Sequence, residues 1–410
     1  MDHLIGREKI GAGRPGAGVA RRPGPSAAIK VVPSAPAVLY VVGARPNFVK
    51  MAPVIQQMRA RAEHLQHVVA HTGQHFDRGM SDVFFEDLGL PPPDYLLGVG
   101  PGSHGVQTAR ALERVEEVLL KVRPQLVIVP GDVNSTLAAA LAAAKLEIPV
   151  AHLEAGLRSF DRTMPEELNR VIVDQLSRWC FIHSPEAAAN LRREGIGSDR
   201  VFFVGNTMID TLVQMRLRIR ESTVHARLGV QLDRYLLVTL HRPALVDGSL
   251  FEPVIEALRR LAEELPVVFP VHPRARARLQ DDVLSAPGLH IIDPVGYIDF
   301  LCLQARAAGV ITDSGGVQEE STFLQVPCFT LRENTERPIT VSQGTNRLLG
   351  LRPEALERIP SWLARPRMNL PAPDGWDGHA AARVAEELLA AVGARRPIEE
   401  SAGAAYAAAR

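Results

Sequence analysis

The stretch "ITDSGGVQEE", residues 311–320, decides the fold, because it runs from an apolar strand through a glycine turn into a helix. The apolar run ends at Thr312, and the Gly315–Gly316 pair lets the backbone turn sharply. Such a junction presents free N–H groups, which commonly bind phosphate. Glu319 and Glu320 follow one turn later, where a carboxylate either favours the helix dipole or holds another part of a phosphorylated ligand.

Short apolar runs alternate with helical stretches on both sides of this junction. The runs that we interpret as strands are 37–43, 67–72, 126–130, 150–154 and 180–183, then 235–241, 266–272, 289–293, 308–313 and 326–331. Strands and helices in alternation predict parallel sheets covered by helices on both faces. Residues 206–234 lack a clear central strand and mark the expected hinge. The pattern predicts two α/β halves with a cleft between them.

The composition argues against several classes of protein. A chain of 410 residues with 46% hydrophobic content can bury two domain cores. Its 46 basic and 46 acidic residues give no electrostatic argument for a nucleic-acid or membrane partner. The three cysteines are widely separated, which argues against a disulfide framework and predicts a reducing, cytoplasmic location. No run of eighteen apolar residues occurs, so we expect no membrane span.

Both ends of the chain differ from the rest. Residues 1–36 are rich in glycine, proline, alanine and arginine without periodicity, which predicts a disordered, dispensable tail. They contain no apolar segment of the kind that a secretory signal needs. The last residues, from 395 to 410, are interpreted as a second flexible tail.

Polar residues follow the strands at the point where each strand ends. They are Arg45, His71 to His75, Asp132, Glu154, His241, His272 and Asp313 to Gly316. In parallel α/β folds the carboxyl ends of the strands meet at one edge, where ligands bind. The sequence therefore predicts a single site in the cleft between the two halves.

Each of these residues also has a structural interpretation. Asp132 is interpreted either as a helix cap or as a carboxylate that faces the cleft, and its motif does not distinguish these two interpretations. Glu154 closes an apolar strand, where an unpaired charge is costly, so we favour a functional role. Glu166 precedes Arg170 by four residues, as in a surface ion pair, and we favour a structural role for Glu167. Lys50 is as readily a surface cation as a phosphate ligand.

The segment "LRENTERPIT", residues 331–340, supplies Arg332 and Arg337 beside the glycine turn. Two arginines there suit a diphosphate, while a glutamate behind the turn accepts hydrogen bonds from ribose hydroxyls. The histidines show no metal-ligand spacing. Nucleotide-hydrolysis, dinucleotide and serine-hydrolase motifs are absent from the sequence.

Nine motifs taken together resemble the non-hydrolysing UDP-N-acetylglucosamine 2-epimerases of bacteria. In chain order they are "GARPNFVKMAP", "HTGQHFD", "VPGDVNST", "HLEAGLRS", "PEELNR", "VGNTMID", "TLHR", "TDSGGVQEE" and "TERP", and the resemblance runs from about residue 38 to about residue 350. It implies a GT-B-like α/β fold, with two Rossmann-like domains and an interdomain active-site cleft. It also implies a UDP-sugar substrate, a homodimer and no added cofactor.

The resemblance supplies domain limits and roles. The limits are a tail at 1–36, a first domain at 37–206, a UDP-binding domain at 207–379, a returning helix at 380–394 and a tail at 395–410. The implied catalytic residues are Asp132, Glu154, Glu166 and His241. The implied substrate contacts are Arg45, Lys50, Phe300, Ser314, Gly315, Gly316, Glu320 and Arg337, with His272 added because it follows a strand. Phe300 matches an aromatic position near the uracil.

The implied reaction is the reversible inversion of C2 through anti elimination of UDP to 2-acetamidoglucal and re-addition. Carboxylates in a closed apolar cleft are expected to have raised pKa values suited to this work. The alternatives are another UDP sugar, such as a 2,3-diacetamido uronate, or a hydrolysing relative. A non-catalytic binder or a GT-B transferase ranks last, because the three implied catalytic acids, Asp132, Glu154 and Glu166, are all present.

Two departures from the family pattern affect finer expectations. The usual HR-x-E-N is "HRPALVD" here, at residues 241–247, so the segment after Arg242 departs from the family pattern. Members regulated by UDP-N-acetylglucosamine carry a glutamine after Gln-His, where this chain has Phe76 and Asp77. The sequence therefore gives no support for allosteric activation.

Overall fold

The computed structural model describes residues 36–73, 85, 87–271, 273–366 and 369–393. Their first half forms a seven-stranded parallel sheet in the order β3-β2-β1-β4-β5-β6-β7. The strands are β1 (Ala37–Val42), β2 (Gln66–His71), β3 (Tyr95–Leu96), β4 (Leu126–Pro130), β5 (Val150–Leu153), β6 (Trp179–Ile182) and β7 (Val201–Phe203). The central strands are buried along their length, because helices cover both faces.

The second half forms a six-stranded parallel sheet in the order β10-β9-β8-β11-β12-β13. Its strands are β8 (Leu236–Thr239), β9 (Val267–Pro270), β10 (Leu289–Ile292), β11 (Gly309–Thr312), β12 (Cys328–Thr330) and β13 (Asn346–Leu348). Two parallel-sheet α/β domains confirm the predicted fold class.

Helices alternate with the strands in both halves. The helices described up to residue 228 are α1 (Arg45–Arg61), α2 (His104–Val122), α3 (Asn134–Lys145), α4 (Pro165–Leu176), α5 (Pro185–Arg193), α6 (Thr207–Gln214), α7 (Arg216–Glu221) and α8 (Val224–Leu228). Those that follow are α9 (Pro243–Val246), α10 (Phe251–Glu264), α11 (Pro273–Arg276), α12 (Asp281–Leu284), α13 (Tyr297–Ala305), α14 (Gly315–Phe323), α15 (Ile339–Ser342), α16 (Ile359–Leu363) and α17 (Ala380–Gly393). Short 3₁₀ turns occupy Ser198–Arg200 and Pro353–Arg358.

The predicted strands differ from the observed ones mainly at the sheet edges. The edge strands β3, β7 and β13 have only two or three residues and were not predicted, because such short runs show no periodicity. The predicted strand at 150–154 ends one residue earlier, at Leu153. As predicted, residues 206–234 contain no strand; α6, α7 and α8 lie there.

Each sheet reverses its strand order once, between β1 and β4 in the first and between β8 and β11 in the second. Chain segments that leave adjacent parallel strands on opposite faces open a crevice at this point, where ligands bind. The segments after β4 and β11 contain Asp132 and Ser314. The topology thus places the predicted polar residues at the two switch points.

The last described helix returns to the first half of the chain. α17 packs against α1 and α6. Asp210, on α6, accepts hydrogen bonds from the backbone N–H groups of Ala380 (3.1 Å) and Ala381 (2.7 Å), which otherwise lack a partner at a helix start. Among the described residues, no helix combines the length and apolar character that crossing a membrane requires.

Candidate active site

A cavity of about 1210 Å³ is lined by residues from both halves. The predicted site residues that line it are Lys50, Asp132, Glu166, His241, Phe300, Ser314, Gly315, Gly316, Glu320 and Arg337. Helix α1 begins at Arg45, whose side chain is outside the described part of the structure, and His272 lies outside the described residues altogether. Segments from several elements, and not from the two switch points alone, bring these ten predicted residues to one cavity.

Asp132 follows β4 and forms an ion pair with Arg170 of α4. Asn169 donates a hydrogen bond of 2.8 Å to the Asp132 carbonyl oxygen, which fixes the backbone as well. Burial acts to raise the pKa of Asp132, but the charges of Arg170, Lys50 and Arg337 outweigh it and hold the pKa below its usual value. The expected upward shift is therefore wrong for this acid, because cations surround it.

Glu154 does not line the cavity, contrary to the expectation for an acid at a strand end. Its side chain is buried behind Lys50, with Oε2 2.5 Å from the Lys50 Nζ and 3.7 Å from the Arg337 Nη2. Its charge is thus paired. Its φ of 67° lies in the left-handed region, which costs a non-glycine residue about 1–3 kcal/mol and commonly marks functional sites.

Glu166 and Glu167 face different surroundings although they are adjacent. Glu166 lines the cavity and has no hydrogen bond or ion pair to another residue of the described chain. Glu167 is buried and accepts hydrogen bonds of 2.9 Å from the Ser159 N–H and hydroxyl. It also lies 2.9 Å from Arg170, so the ion pair with this arginine is made by Glu167, the residue for which a structural role was favoured.

His241 is held by Asp313, which lies just after β11. The His241 Nδ1 lies 2.8 Å from the Asp313 Oδ1, and the backbone N–H groups of His241 and Arg242 donate to Oδ2. Burial acts to raise the pKa of Asp313, but these hydrogen bonds and the His241 charge lower it. With Nδ1 donating to a carboxylate, Nε2 of the half-exposed ring is the nitrogen left to act in the cavity.

Arg337 lies beside Gly315, the first residue of α14. A side chain at Gly315 would place its Cβ 2.3 Å from the Arg337 Nη1, so a larger residue there would displace this guanidinium. The Arg337 Nε lies 2.9 Å from the Glu319 Oε2. A cation beside unpaired helix N–H groups attracts anions such as a diphosphate.

The neighbouring glutamates of α14, Glu319 and Glu320, have pKa values shifted in opposite directions. Glu319 is fully buried between Arg337 and His183, whose Nε2 lies 2.8 Å away. Burial acts to raise its pKa, but Arg337 and His183 outweigh it, and the pKa of Glu319 falls well below its usual value. Glu320 lines the cavity and accepts a hydrogen bond of 3.0 Å from the Tyr297 hydroxyl. Burial raises the pKa of Glu320 to about 8.

Several residues of the site were not predicted. Tyr297 and Arg170 received no functional role, although "YIDF" already pointed to the segment that contains Tyr297, and Asp313 was placed in the cleft without a specific role. Glu336 accepts hydrogen bonds of 2.8 Å from both terminal nitrogens of Arg332, so that arginine is already bound to a carboxylate. Asp132 and Arg170 lie on distant segments, so the sequence gives no signal for their pair, whereas Arg332 and Glu336 are only four residues apart. Among the described residues, no group of three or more His, Cys, Asp or Glu is arranged to hold a metal.

Comparisons with known proteins identify the family. The family profile "UDP-N-acetylglucosamine 2-epimerase" matches residues 57–389. The chain is 42% identical over 360 residues to the UDP-N-acetylglucosamine 2-epimerase of Methanocaldococcus jannaschii, covering 85% of this chain and 97% of that protein. It is 43% identical to the UDP-2,3-diacetamido-2,3-dideoxy-D-glucuronate 2-epimerase of Pseudomonas aeruginosa, over 76% and 88% of the two chains.

Solved structures agree with this assignment. The M. jannaschii UDP-GlcNAc 2-epimerase in complex with UDP-GlcNAc and UDP matches with a TM-score of 0.81 and 41% identity, over 86% of this chain and 99% of that chain. The Neisseria meningitidis enzyme bound to UDP-GlcNAc matches with a TM-score of 0.80 and 32% identity, over 86% of this chain and 100% of that chain. Relatives occur in archaea as well as bacteria, so the resemblance is not specific to bacterial proteins. The chain belongs to the UDP-N-acetylglucosamine 2-epimerase family and has its GT-B-like fold.

Proposed function

We propose that the protein interconverts UDP-N-acetylglucosamine and UDP-N-acetylmannosamine by inverting C2 of the sugar. The proposal is carried by the lining of one cavity. The wall formed by the first half of the chain, here called the first-half wall, carries the acids Asp132 and Glu166. The wall formed by the second half, the second-half wall, carries the anion-binding helix start at Ser314, Gly315 and Gly316. This arrangement suits a reaction in which a proton leaves C2 while UDP leaves C1. Family membership supports the same activity.

The second-half wall is proposed to bind UDP. The N–H groups after Ser314 and the guanidinium of Arg337 suit the diphosphate, because both stabilise negative charge. Glu320, with Tyr297 as its partner, suits the ribose hydroxyls. Phe300 lines the same wall and suits the uracil ring. We propose that Lys50, Arg45 and His272 complete the contacts to the UDP-sugar.

The first-half wall is proposed to carry the proton chemistry. A carboxylate removes the C2 proton, the C1–O bond to the β-phosphate breaks, and UDP departs with the electron pair to leave 2-acetamidoglucal. UDP then re-adds at C1 while a proton is delivered to the opposite face of C2. Asp132 and Glu166 line the cavity and suit these proton transfers. Glu154 holds Lys50 beside the reacting sugar.

His241 is proposed to assist from the second half. Asp313 fixes its ring, so that Nε2 is available to a group of the bound UDP-sugar. A ring oriented in this way can donate a hydrogen bond to the departing phosphate oxygen or accept one from the sugar.

Solvent exchange at C2 tests the proposal. The protein is incubated with UDP-N-acetylglucosamine in D₂O, without NAD and with EDTA, and the products are analysed by NMR. We expect UDP-N-acetylmannosamine with deuterium at C2, because the proton passes through an exchangeable carboxyl group. Product that retains the substrate proton would contradict acid–base transfer, and activity that needs an added divalent ion would contradict a cofactor-free route.

Another UDP sugar is the second candidate, since the P. aeruginosa relative is named for a 2,3-diacetamido uronate. The two UDP sugars are compared at equal concentration, and the ratio of kcat/KM identifies the substrate. Release of free N-acetylmannosamine would indicate a hydrolysing enzyme. Tight binding of UDP without turnover of either sugar would indicate a binding protein.

We further propose a division into a first domain at 37–206 and a UDP-binding domain at 207–379, with the helix at 380–394 completing the first domain. The contacts of α17 with α1 support this return. We also propose a homodimer of the bacterial non-hydrolysing type that works in the cytoplasm in cell-surface polysaccharide biosynthesis. Light scattering would test the dimer.

A further inference from the structure

His152, in β5, is fully buried between two segments of the active-site edge. Its Nε2 lies 2.7 Å from the carbonyl oxygen of Gly131, and its Nδ1 lies 2.6 Å from the Asp174 Oδ1. Both partners are acceptors, so the ring satisfies both when each nitrogen carries a proton and donates it. The ring thereby ties β5 to Gly131, which immediately precedes Asp132.

Asp174, on α4, is equally buried and makes a second connection. Its Oδ2 accepts hydrogen bonds from the backbone N–H of Gly156 (3.0 Å) and from the Arg158 Nη2 (2.7 Å). Burial acts to raise the pKa of Asp174, but His152 and Arg158 outweigh it, so the group is a carboxylate. Gly156 lies two residues after Glu154, and Asp174 therefore anchors the segment that contains Glu154.

The pair also connects to the third acid. Helix α4 begins at Pro165 and carries Glu166 in its first turn, two turns before Asp174. The segments that contain Asp132, Glu154 and Glu166 thus meet at one buried imidazole–carboxylate pair. Neither member of the pair lines the cavity, so neither touches the substrate.

We propose that His152 and Asp174 form a positioning element that fixes Asp132 and Glu166 for proton transfer at C2 and, with them, the Glu154 that holds Lys50. The inference rests on the proposed function. Glu154 has a φ of 67°, and a non-glycine residue keeps such left-handed backbone only where surrounding contacts hold it. A displacement of about 1 Å in a catalytic group costs about 10²-fold in rate, so these contacts matter for turnover.

A contribution to stability alone would look different from a positioning role. Loss of a buried ion pair destabilises the fold, which lowers the melting temperature and the amount of folded protein. If the pair contributes to stability alone, its loss leaves kcat per folded molecule unchanged. Loss of positioning lowers kcat while KM and the Kd for UDP stay near their wild-type values, because the UDP contacts lie on the second-half wall.

The test compares His152→Gln and Asp174→Asn with the wild type and with His67→Gln as a matched control. His67 is a half-buried histidine of the same sheet that hydrogen-bonds the Tyr40 hydroxyl (2.8 Å) and the Ala62 carbonyl (3.0 Å), at the start of β2 and away from the cavity. We expect kcat per folded molecule to fall about 10²-fold in the two test variants, with KM and UDP affinity retained. The control should lose thermal stability only.

Each outcome decides the proposal. Folded His152→Gln and Asp174→Asn proteins with the kcat of the control overturn it. Failure of both variants to fold, measured by thermal unfolding with UDP present, shows a purely structural pair and also overturns it. An inactive wild type defeats the proposed function and the positioning role together, whereas an active wild type with undiminished variants defeats the positioning role alone.

Discussion

The two walls of the cavity shift the pKa of their acidic side chains in opposite directions. On the first-half wall, Asp132 is surrounded by Arg170, Lys50 and Arg337, which lower its pKa against the effect of burial. On the second-half wall, Glu320 is buried beside Tyr297, and its pKa rises to about 8. One acid is ionised at neutral pH and the other is protonated. Burial raises the pKa of both carboxyl groups, and only Asp132 has enough neighbouring cations to outweigh that effect.

This difference explains why Glu319 and Glu320 can lie close to a helix start that binds anions without repelling the anion. A charged Glu320 near the start of α14 would repel a diphosphate, whereas a protonated one does not and still hydrogen-bonds a sugar hydroxyl. Glu319 keeps its charge, but Arg337 and His183 neutralise it. The second-half wall therefore suits anion binding, and the first-half wall, with its ionised Asp132, suits proton abstraction.

Removing the acids of the first-half wall should have the largest effect. Asp132→Asn and Glu166→Gln should lower kcat about 10²–10⁴-fold, because each removes a positioned acid or base. Glu154→Gln should lower it as well, through the loss of its ion pair with Lys50. Calorimetry should show unchanged UDP affinity in all three. The exposed Glu117→Gln serves as control, and an unchanged kcat in Asp132→Asn would remove that residue from the chemistry.

A substitution on the second-half wall should affect binding first. Arg337→Ala removes a charge-assisted partner of the diphosphate and should weaken UDP binding about 10–100-fold. Arg337→Lys keeps the charge but not the planar fork, so it should lie between the wild type and the alanine variant. Calorimetry with UDP measures both. Equal UDP affinity in all three proteins would place the diphosphate elsewhere.

The neighbours Glu319 and Glu320 should give opposite pH dependences of stability. The pKa of Glu320 rises from 4.5 to about 8 on folding, so its contribution is present below pH 4.5 and is lost as the pH rises towards 8. Glu320→Gln should therefore gain stability relative to wild type between pH 5 and pH 8, at about 1.4 kcal/mol per pKa unit as an upper limit.

The pKa of Glu319 is lowered, so its contribution is present above its ordinary value of 4.5 and is lost as the pH falls below it. Glu319→Gln should be less stable than wild type at pH 7 and should approach it in acid. Thermal unfolding across this pH range measures both differences. Parallel curves for the two variants would contradict the assignment of charge on this wall.

The smallest effect is expected from the N-terminal segment. Deleting residues 1–36 should leave kcat, KM and the melting temperature unchanged, because that segment has neither periodicity nor an apolar face. The deletion gives the baseline against which the wall variants are measured. A fall in rate or solubility would show that the segment contributes to the folded enzyme.

The sequence by itself determined the fold class, ten of the thirteen described strands and the cavity location of most site residues. Apolar runs with β-strand length are local signals, and parallel topology places their carboxyl ends at one edge. The Gly315–Gly316 pair was likewise readable as the junction between β11 and α14, where Gly315 leaves room for the Arg337 guanidinium.

Only the tertiary structure decided which acid has which partner. Asp132 meets Arg170 from α4, Glu154 lies behind Lys50 from α1, and Glu319 meets His183 from the other half of the chain. These pairs join residues that are distant in sequence, and the pKa of each acid depends on all charges around it. The sequence places a carboxylate at a strand end, whereas folding determines its charge and whether it faces the cavity.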